Sequence, residues 1–237
     1  LLPSPEPAAD ASPPTPPPSL MRSLSDPGLL LFRRARAEDA PWLAPLVYAS
    51  AWEEFQFLLG VKQADCEAFL QTALASRIGH FSWRHHHVAV MGDIPVSVIG
   101  VYDGRKGRFD ALPLFYQLVR HFGWRHTSGI LLRALAMQHA MPAPTRYQTL
   151  LAHCATHPEV RGLGLFSALL AQLQQEQRVP ARRDQAVILD VLNSNVRAQA
   201  LYRRLGFAIT RERPDEGVPL QLAVKRMQLK AAPRSKA

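Results

Sequence analysis

Apolar and polar positions alternate along this chain with two different periods, and the changes of period mark its elements. Residues 29–34 read as a first strand, and Ala37-Glu38-Asp39-Ala40-Pro41 opens a helix that runs to about Ser50, with acidic residues in its first turn and proline near its first helical position. Helical spacing recurs over 52–59 and 64–76, where Phe69, Leu70, Ala73 and Leu74 mark one face. These helices are expected to form one wall. The runs HVAVM at 87–91 and IPVSVIGVY at 94–102 are rich in β-formers, and Gly92-Asp93 between them predicts a hairpin. Two apolar helical stretches follow near 110–122 and 128–139, the second stopped by Pro142 and Pro144. Strands and helices then alternate: strand 146–156, helix 164–177, strand 186–192, short helix 195–205, and last strands at 207–210 and 220–229. A hairpin first and alternation later indicate a mixed α/β (α+β) domain rather than a barrel or a bundle.

Residues 1–20, LLPSPEPAADASPPTPPPSL, stand outside this pattern. They hold 8 of the 20 prolines and have only Glu6 and Asp10 as charges, so they are expected to be a disordered or polyproline-like leader. A proline-recognition ligand is the rarer reading of such text. Composition changes at Met21, which suggests a natural start there and a domain over 21–230, followed by a basic tail at 231–237. The whole chain, 237 residues with 47% apolar and 20% charged, is long and apolar enough for one folded domain. No run approaches the roughly 18 apolar residues needed to cross a bilayer, and the N-terminus lacks the basic and apolar regions of a signal peptide. Cys66 and Cys154 are too few for a disulfide framework or a thiolate metal site, so a reducing, cytoplasmic location is expected, with no metal.

The charge of +9 is spread over RRAR at 33–36, GRKGR at 104–108 and the segment after Lys225. It lacks the interleaved aromatics of a nucleic-acid module, so specific nucleic-acid binding is not expected, and part of the basic excess is available to phosphates.

The text that carries chemistry is THPEVRGLGLFSALL, 156–170, directly after a predicted strand. Arg161-Gly162-Leu163-Gly164-Leu165 would make a turn with unobstructed amides that feeds into an apolar helix. A strand, such a turn and a helix N-terminus make an anion site, because unpaired N–H groups and the positive helix end converge. The spacing is neither the dinucleotide pattern GxGxxG nor a P-loop. Further on, Asn195 follows a strand and could bond an amide of an extended ligand. Ala198 is small enough to let that ligand pass, and Tyr202, four residues later, shares its helical face.

VRGLGLFSALL resembles the acetyl-CoA-binding segment of the GNAT N-acetyltransferase superfamily, whose pattern is Arg or Gln, two residues, Gly, one residue, then Gly or Ala. Arg161 and Gly164 match, and Phe166 stands where the pattern has a small residue. Residues 195–207, NVRAQALYRRLGF, are similar to the family's closing pattern N-x-x-A-x-x-L-Y-x-x-x-G-F at every named position. LFRRARAEDAPWLAPLV resembles the family's first strand and helix more loosely. The resemblance covers about 29–229, with specific motifs from 150 to 207.

The resemblance implies a mostly antiparallel central sheet, flanked by helices, with a splay between its two central strands. It implies acetyl-CoA as cosubstrate and an acceptor amine of unknown kind. Arg161, Gly162, Leu163, Gly164, Leu165, Phe166 and Ser167 would cradle its phosphates. Cys154, Ala155 and Thr156 would pair with the thioester and pantetheine arm through main chain, beside Asn195, Ala198 and Tyr202. Tyr202 would protonate the departing thiolate. Direct attack by a neutral amine also needs a proton acceptor, for which His153, Glu53 and Glu54 are the candidates. Cys154 reads as a buried structural thiol rather than a nucleophile. A non-catalytic acyl-CoA-binding sensor or structural domain is the alternative, and a homodimer is compatible with either.

Three other features are read as structural. In His85-His86-His87, neighbours on a strand point to alternate faces, so no three-ligand metal site follows, and an exposed strand start is expected. Trp52, Phe55, Phe57, Trp83 and Trp124 are read as aromatic core ahead of an acceptor pocket. Asp190 within VILDVL is read as a satisfied structural carboxylate.

Overall fold

The computed structural model describes residues 30–105, 110–179, 185–212 and 222–230. The proline-rich leader, Met21, residues 106–109 of the basic loop, the start of the expected last strand and the basic tail lie outside the described residues.

Strand β1 (Leu30–Arg34) leads through a 3-10 turn at Ala37–Asp39 into helix α1 (Ala40–Ser50). Asp39 fixes that corner: its buried carboxylate accepts from the Arg33 guanidinium at 2.6 and 2.9 Å and from the Arg36 N–H at 2.7 Å. Helix α2 (Trp52–Leu59) ends at Gly60, whose φ of 64° only glycine adopts cheaply, and α3 (Gln63–Ala75) follows. The hairpin forms as expected, β2 (His86–Met91) and β3 (Ile94–Asp103) turning at Gly92-Asp93. The two expected helices after it are one helical segment, α4 (Ala111–Ala140), divided by Gly123 at φ 77°, ψ 164°, a conformation essentially confined to glycine. Strand β4 (Gln148–Thr156), helix α5 (Leu165–Gln175), strand β5 (Ala186–Leu192), helix α6 (Val196–Arg204) and strands β6 (Phe207–Glu212) and β7 (Val224–Leu229) complete the order.

The seven strands form one sheet in the order β1-β2-β3-β4-β5-β7-β6. Every neighbouring pair is antiparallel except β4 and β5. The chain is therefore the mixed α/β, mostly antiparallel architecture expected. The wall of α1, α3 and α4 covers one face of the sheet around Leu43, Phe69, Leu70, Leu74 and Ile130. On the other face α5 and α6 pack Leu169, Leu173 and Tyr202 on Ile99, Leu151, Leu189 and Met227.

Strands β4 and β5 pair over only four positions, from Gln148 with Ala186 to Leu151 with Leu189. Beyond these, residues 152–156 stay bonded to β3 alone and residues 190–192 to β7 alone. This is the expected splay. Asp190, at the start of the divergent part, takes a bidentate ion pair from Arg226 at 2.8 and 2.6 Å, both side chains about one-eighth exposed. Arg226 also donates to the Pro142 carbonyl at 2.8 Å. The carboxylate is structurally satisfied, as read.

Two expectations need correction. His86 is wholly buried and His87 nearly so, because β2 lies inside the sheet between β1 and β3. Among the aromatics, Phe55 joins the core, but Trp52 and Trp124 are 48% and 65% exposed on the outer sides of α2 and α4.

The Asp190–Arg226 pair ties the far side of the splay to β7. Asp190→Ala, which leaves the guanidinium buried and half-paired, is expected to destabilise the fold by about 3 kcal/mol in urea unfolding. A loss below about 0.5 kcal/mol would show that the pair does not hold this strand.

Candidate active site

The residues of the two sequence motifs converge on the splay. The chain leaves β4 at Thr156, makes a short turn at Pro158–Val160, and enters α5 through Gly162 and Gly164 at φ 89° and 77°. A Cβ at either glycine would meet nothing within 4 Å, so backbone conformation rather than crowding requires them. Within the described residues none of the N–H groups of 162–167 has a hydrogen-bond partner, while the Gly164 carbonyl already accepts from Ala168 at 2.9 Å. These donors sit at the positive end of an eleven-residue helix. Arg161 bends back and donates from Nε to the Thr156 carbonyl at 3.1 Å, which holds its exposed guanidinium over the end of β4.

The other motif approaches from β5. Asn195 caps α6, its side-chain oxygen accepting the Ala198 N–H at 3.0 Å, and both residues lie at the helix start beside the end of β5. Tyr202, on the second turn, is buried and packs with Cys154 of β4 in one core cluster, while the Cys154 thiol donates to the Ala152 carbonyl at 3.6 Å. The packing of Tyr202 on Cys154 bridges from the β5 side of the splay to the β4 side. Burial first, and then Cys154, pushes the phenol pKa well above its usual 10. Burial likewise pushes both cysteine thiols up to about 12, against an opposing effect of Tyr202 on Cys154. Neither thiol is an activated nucleophile.

Residues 131–209 match the acetyltransferase (GNAT) domain family. The fold is similar to a solved acetyltransferase at TM-score 0.62 and 18% identity, covering 85% of this chain and all of that one. It is similar to an N-acetyltransferase from Staphylococcus aureus Mu50 at TM-score 0.63 and 16% identity, covering 84% and 100%. Residues 131–209 are thus similar to the GNAT domain, within a fold shared with solved acetyltransferases. No curated protein sequence matches the chain. At these identities the solved structures bear on the fold alone.

Within the GNAT-like segment the unexpected Phe166 turns its side chain into the core, 8% exposed, with its ring 6.0 Å from that of Tyr202. Its N–H stays on the open side with its neighbours. The departure from a small residue therefore leaves the donor row intact.

The three candidate bases lie on the helix-wall side. His153 occupies a bulge of β4, where the register with β3 slips between Ala152 opposite Gly100 and Ala155 opposite Val98. Its φ is 53°, unusual for a residue with a side chain, and the bulge aims the imidazole at Phe55 and Phe81 while Cys154 faces Tyr202. Glu54 on α2 is pushed up to about 7, by burial first and then by Asp190 and Glu53. Glu53 is also raised by burial, and its Oε2 is a buried atom without a partner among the described residues. A cleft of about 440 Å³ between α3 and α4, lined by Phe69, Ile78, Tyr116 and His121 among others, contains none of these residues.

Sequence reasoning misses the partners of His153. Its Nδ1 lies 3.0 Å from His86 Nε2 and 3.1 Å from the Tyr102 hydroxyl. Period-two alternation puts His86 on a definite face of β2, but only the β2-β3-β4 register and the bulge bring it to His153.

Among the described residues no group of three or more His, Cys, Asp or Glu is placed to hold a metal. None of their helices is long and apolar enough to cross a membrane.

Two predictions follow from this chemistry of burial. Burial lowers the histidines, His80 and His87 to about 4, His86 to about 3 and His153 well below 6.5, so the native state refuses protons that the unfolded chain binds. Their stabilisation is present above pH 6.5 and lost as pH falls toward 4, at about 1.4 kcal/mol per pH unit for each histidine. Glu54 acts oppositely, losing stabilisation as pH rises from 4.5 through about 7. Urea unfolding at pH 6.5, 5.5 and 4.5 is expected to show a steep net loss; equal stability at the three values would contradict the burial. Iodoacetamide at pH 8 is expected to leave both thiols unmodified until urea is added, whereas rapid labelling of native Cys154 would contradict its raised pKa.

Proposed function

We propose that this protein transfers an acetyl group from acetyl-CoA to the nitrogen of an amine. The observation that carries the reading is the row of N–H groups at 162–167 without a partner among the described residues, set at a helix N-terminus beside a splay whose β4 side packs Cys154 with Tyr202. The donor set fits the group: successive amides and the Arg161 guanidinium suit phosphates, and the divergent backbone of 152–156 suits an extended amide-bearing arm. Bound there, acetyl-CoA would supply an activated thioester.

The chain's own residues would do the rest. Main-chain groups of Cys154, Ala155 and Thr156 would pair with the arm and orient the carbonyl, with the Asn195 and Ala198 end of α6 flanking it. The raised pKa of Tyr202 keeps the phenol protonated, the form able to give a proton to a departing thiolate. A residue on the helix-wall side, among His153, Glu53 and Glu54, would take the proton released by the attacking nitrogen. The helices before β4 would read the acceptor.

Calorimetry with acetyl-CoA tests the site directly. Wild-type protein is expected to bind in the micromolar range, and Gly164→Glu, which adds a charge and a strained φ at the donor row, is expected to abolish binding. Tyr202→Phe is expected to keep binding while lowering CoA release to an amine acceptor by about 100-fold. Binding without CoA release for any amine would favour the acyl-CoA sensor instead, and no binding at millimolar ligand would overturn both.

A further inference from the structure

The hydrogen-bond chain behind His153 decides where its proton sits. His86 Nδ1 lies 3.0 Å from the Ser82 carbonyl, which can only accept, so this nitrogen carries hydrogen. The buried, neutral His86 then has a lone pair at Nε2, and the His153 Nδ1 facing it at 3.0 Å must be the donor. Tyr102 agrees: its hydroxyl donates to the His80 carbonyl at 3.0 Å, so toward His153 Nδ1 at 3.1 Å its oxygen accepts. The two imidazoles are coplanar within 11° with centroids 5.2 Å apart, the arrangement of an in-plane N–H···N bond rather than of a face-to-face stack. Gly100 makes the meeting possible, since a Cβ there would stand 3.0 Å from the Tyr102 ring and 3.4 Å from His153 Nδ1.

We propose that His86 and Tyr102 are positioning residues that hold His153 as its Nδ1–H tautomer, so that Nε2, on the splayed strand, is the base that takes the acceptor's proton. This rests on the acetyltransferase reading. In the step, the acceptor nitrogen forms a bond to the acetyl carbon and passes its proton to His153 Nε2, while the carbon–sulfur bond breaks and sulfur takes the proton of Tyr202. Return of the proton from His153 to Tyr202 through solvent restores both groups, and the products are the amide and free CoA. His153 Nε2 has no hydrogen bond among the described residues, and Phe55 and Phe81 bracket the ring at 6.3 and 5.3 Å. The groups around it, His80, His85 and His86 with Asp110 behind them, leave it neutral, and burial lowers it furthest. Glu53 and Glu54, by contrast, have no hydrogen bond among the described residues to orient either carboxylate.

The tautomer can be read without any ligand. Long-range proton–nitrogen correlation spectra of the full chain labelled with ¹⁵N-histidine, assigned with His153→Gln and His86→Gln, are expected to show both residues protonated at Nδ1 and bare at Nε2. His86→Phe is expected to release His153 to a mixture of tautomers, and His86→Gln, whose carbonyl still accepts, to retain the native one. With an amine acceptor, His153→Gln should lower kcat by about 100-fold and His86→Phe by about tenfold, each with the KM for acetyl-CoA unchanged. A native His153 carrying its hydrogen on Nε2 would overturn the proposal even if His86→Phe fails to fold. So would full activity of His153→Gln beside an inactive Glu54→Gln, which would make Glu54 the base. Failure of the wild type to release CoA to any amine would instead sink the acetyltransferase reading, and the base role with it, whatever the tautomer.

Discussion

The parting of β4 from β5 is the constraint on which the rest of this structure depends. Opening a sheet in its middle exposes backbone donors and acceptors that a closed ladder would satisfy, and such groups are costly when shielded from water. The chain tolerates the opening because each strand is secured on its other side. Strand β4 keeps its pairing with β3 out to Thr156, and β5 keeps its pairing with β7 out to Leu192, reinforced by Arg226 on Asp190. Packing then spans what hydrogen bonds do not. On the α5 and α6 face, Leu151 of β4 and Leu189 of β5 lie in one core with Leu169 and Tyr202.

The same strand carries the second departure from regularity. At His153 the bulge sends consecutive side chains to opposite faces while the partner strand contributes a glycine, and the left-handed φ of 53° costs about 1 kcal/mol or more. What offsets it is a buried polar network in which Ser82, His80, Tyr102 and His86 each have a defined donor or acceptor role. Networks of this kind specify one arrangement because a half-satisfied alternative is penalised by the low local dielectric. The bulge and the network are thus two descriptions of one commitment.

Much of the fold is legible in the sequence because its signals are local. Gly92-Asp93 makes the hairpin, Pro142 closes the long helix, and the two Gly-containing motifs place the turn before α5 and the capped start of α6. The splay follows from resemblance, not from any residue pattern, since the β-rich text of 148–156 and 186–192 does not say where pairing stops. His86 and His87 read as exposed because hydropathy ranks histidine as polar, whereas burial here is decided by the position of β2 between two neighbours. Tyr102 and Gly100 carry no local signal at all. Their importance arises from register across three strands, a relation between residues more than 50 positions apart. Trp52 and Trp124 mislead in the opposite sense, large aromatics being core residues only when their helix faces inward.

Phe166 has a consequence beyond leaving the donor row free. Its ring meets Tyr202 at 6.0 Å, and Tyr202 meets Phe207 at 5.9 Å, so three aromatic side chains fasten the first turn of α5, the middle of α6 and the start of β6 into one joint. The place where phosphates would be gripped and the place where sulfur would be protonated are thereby set at a fixed separation by core packing, not by the pose of a surface loop. On the proposed reading the joint would work as a ruler. An acyl carrier whose arm is shorter or longer than the gap it sets would bring its sulfur to the wrong height against the phenol, however well its charged end is held.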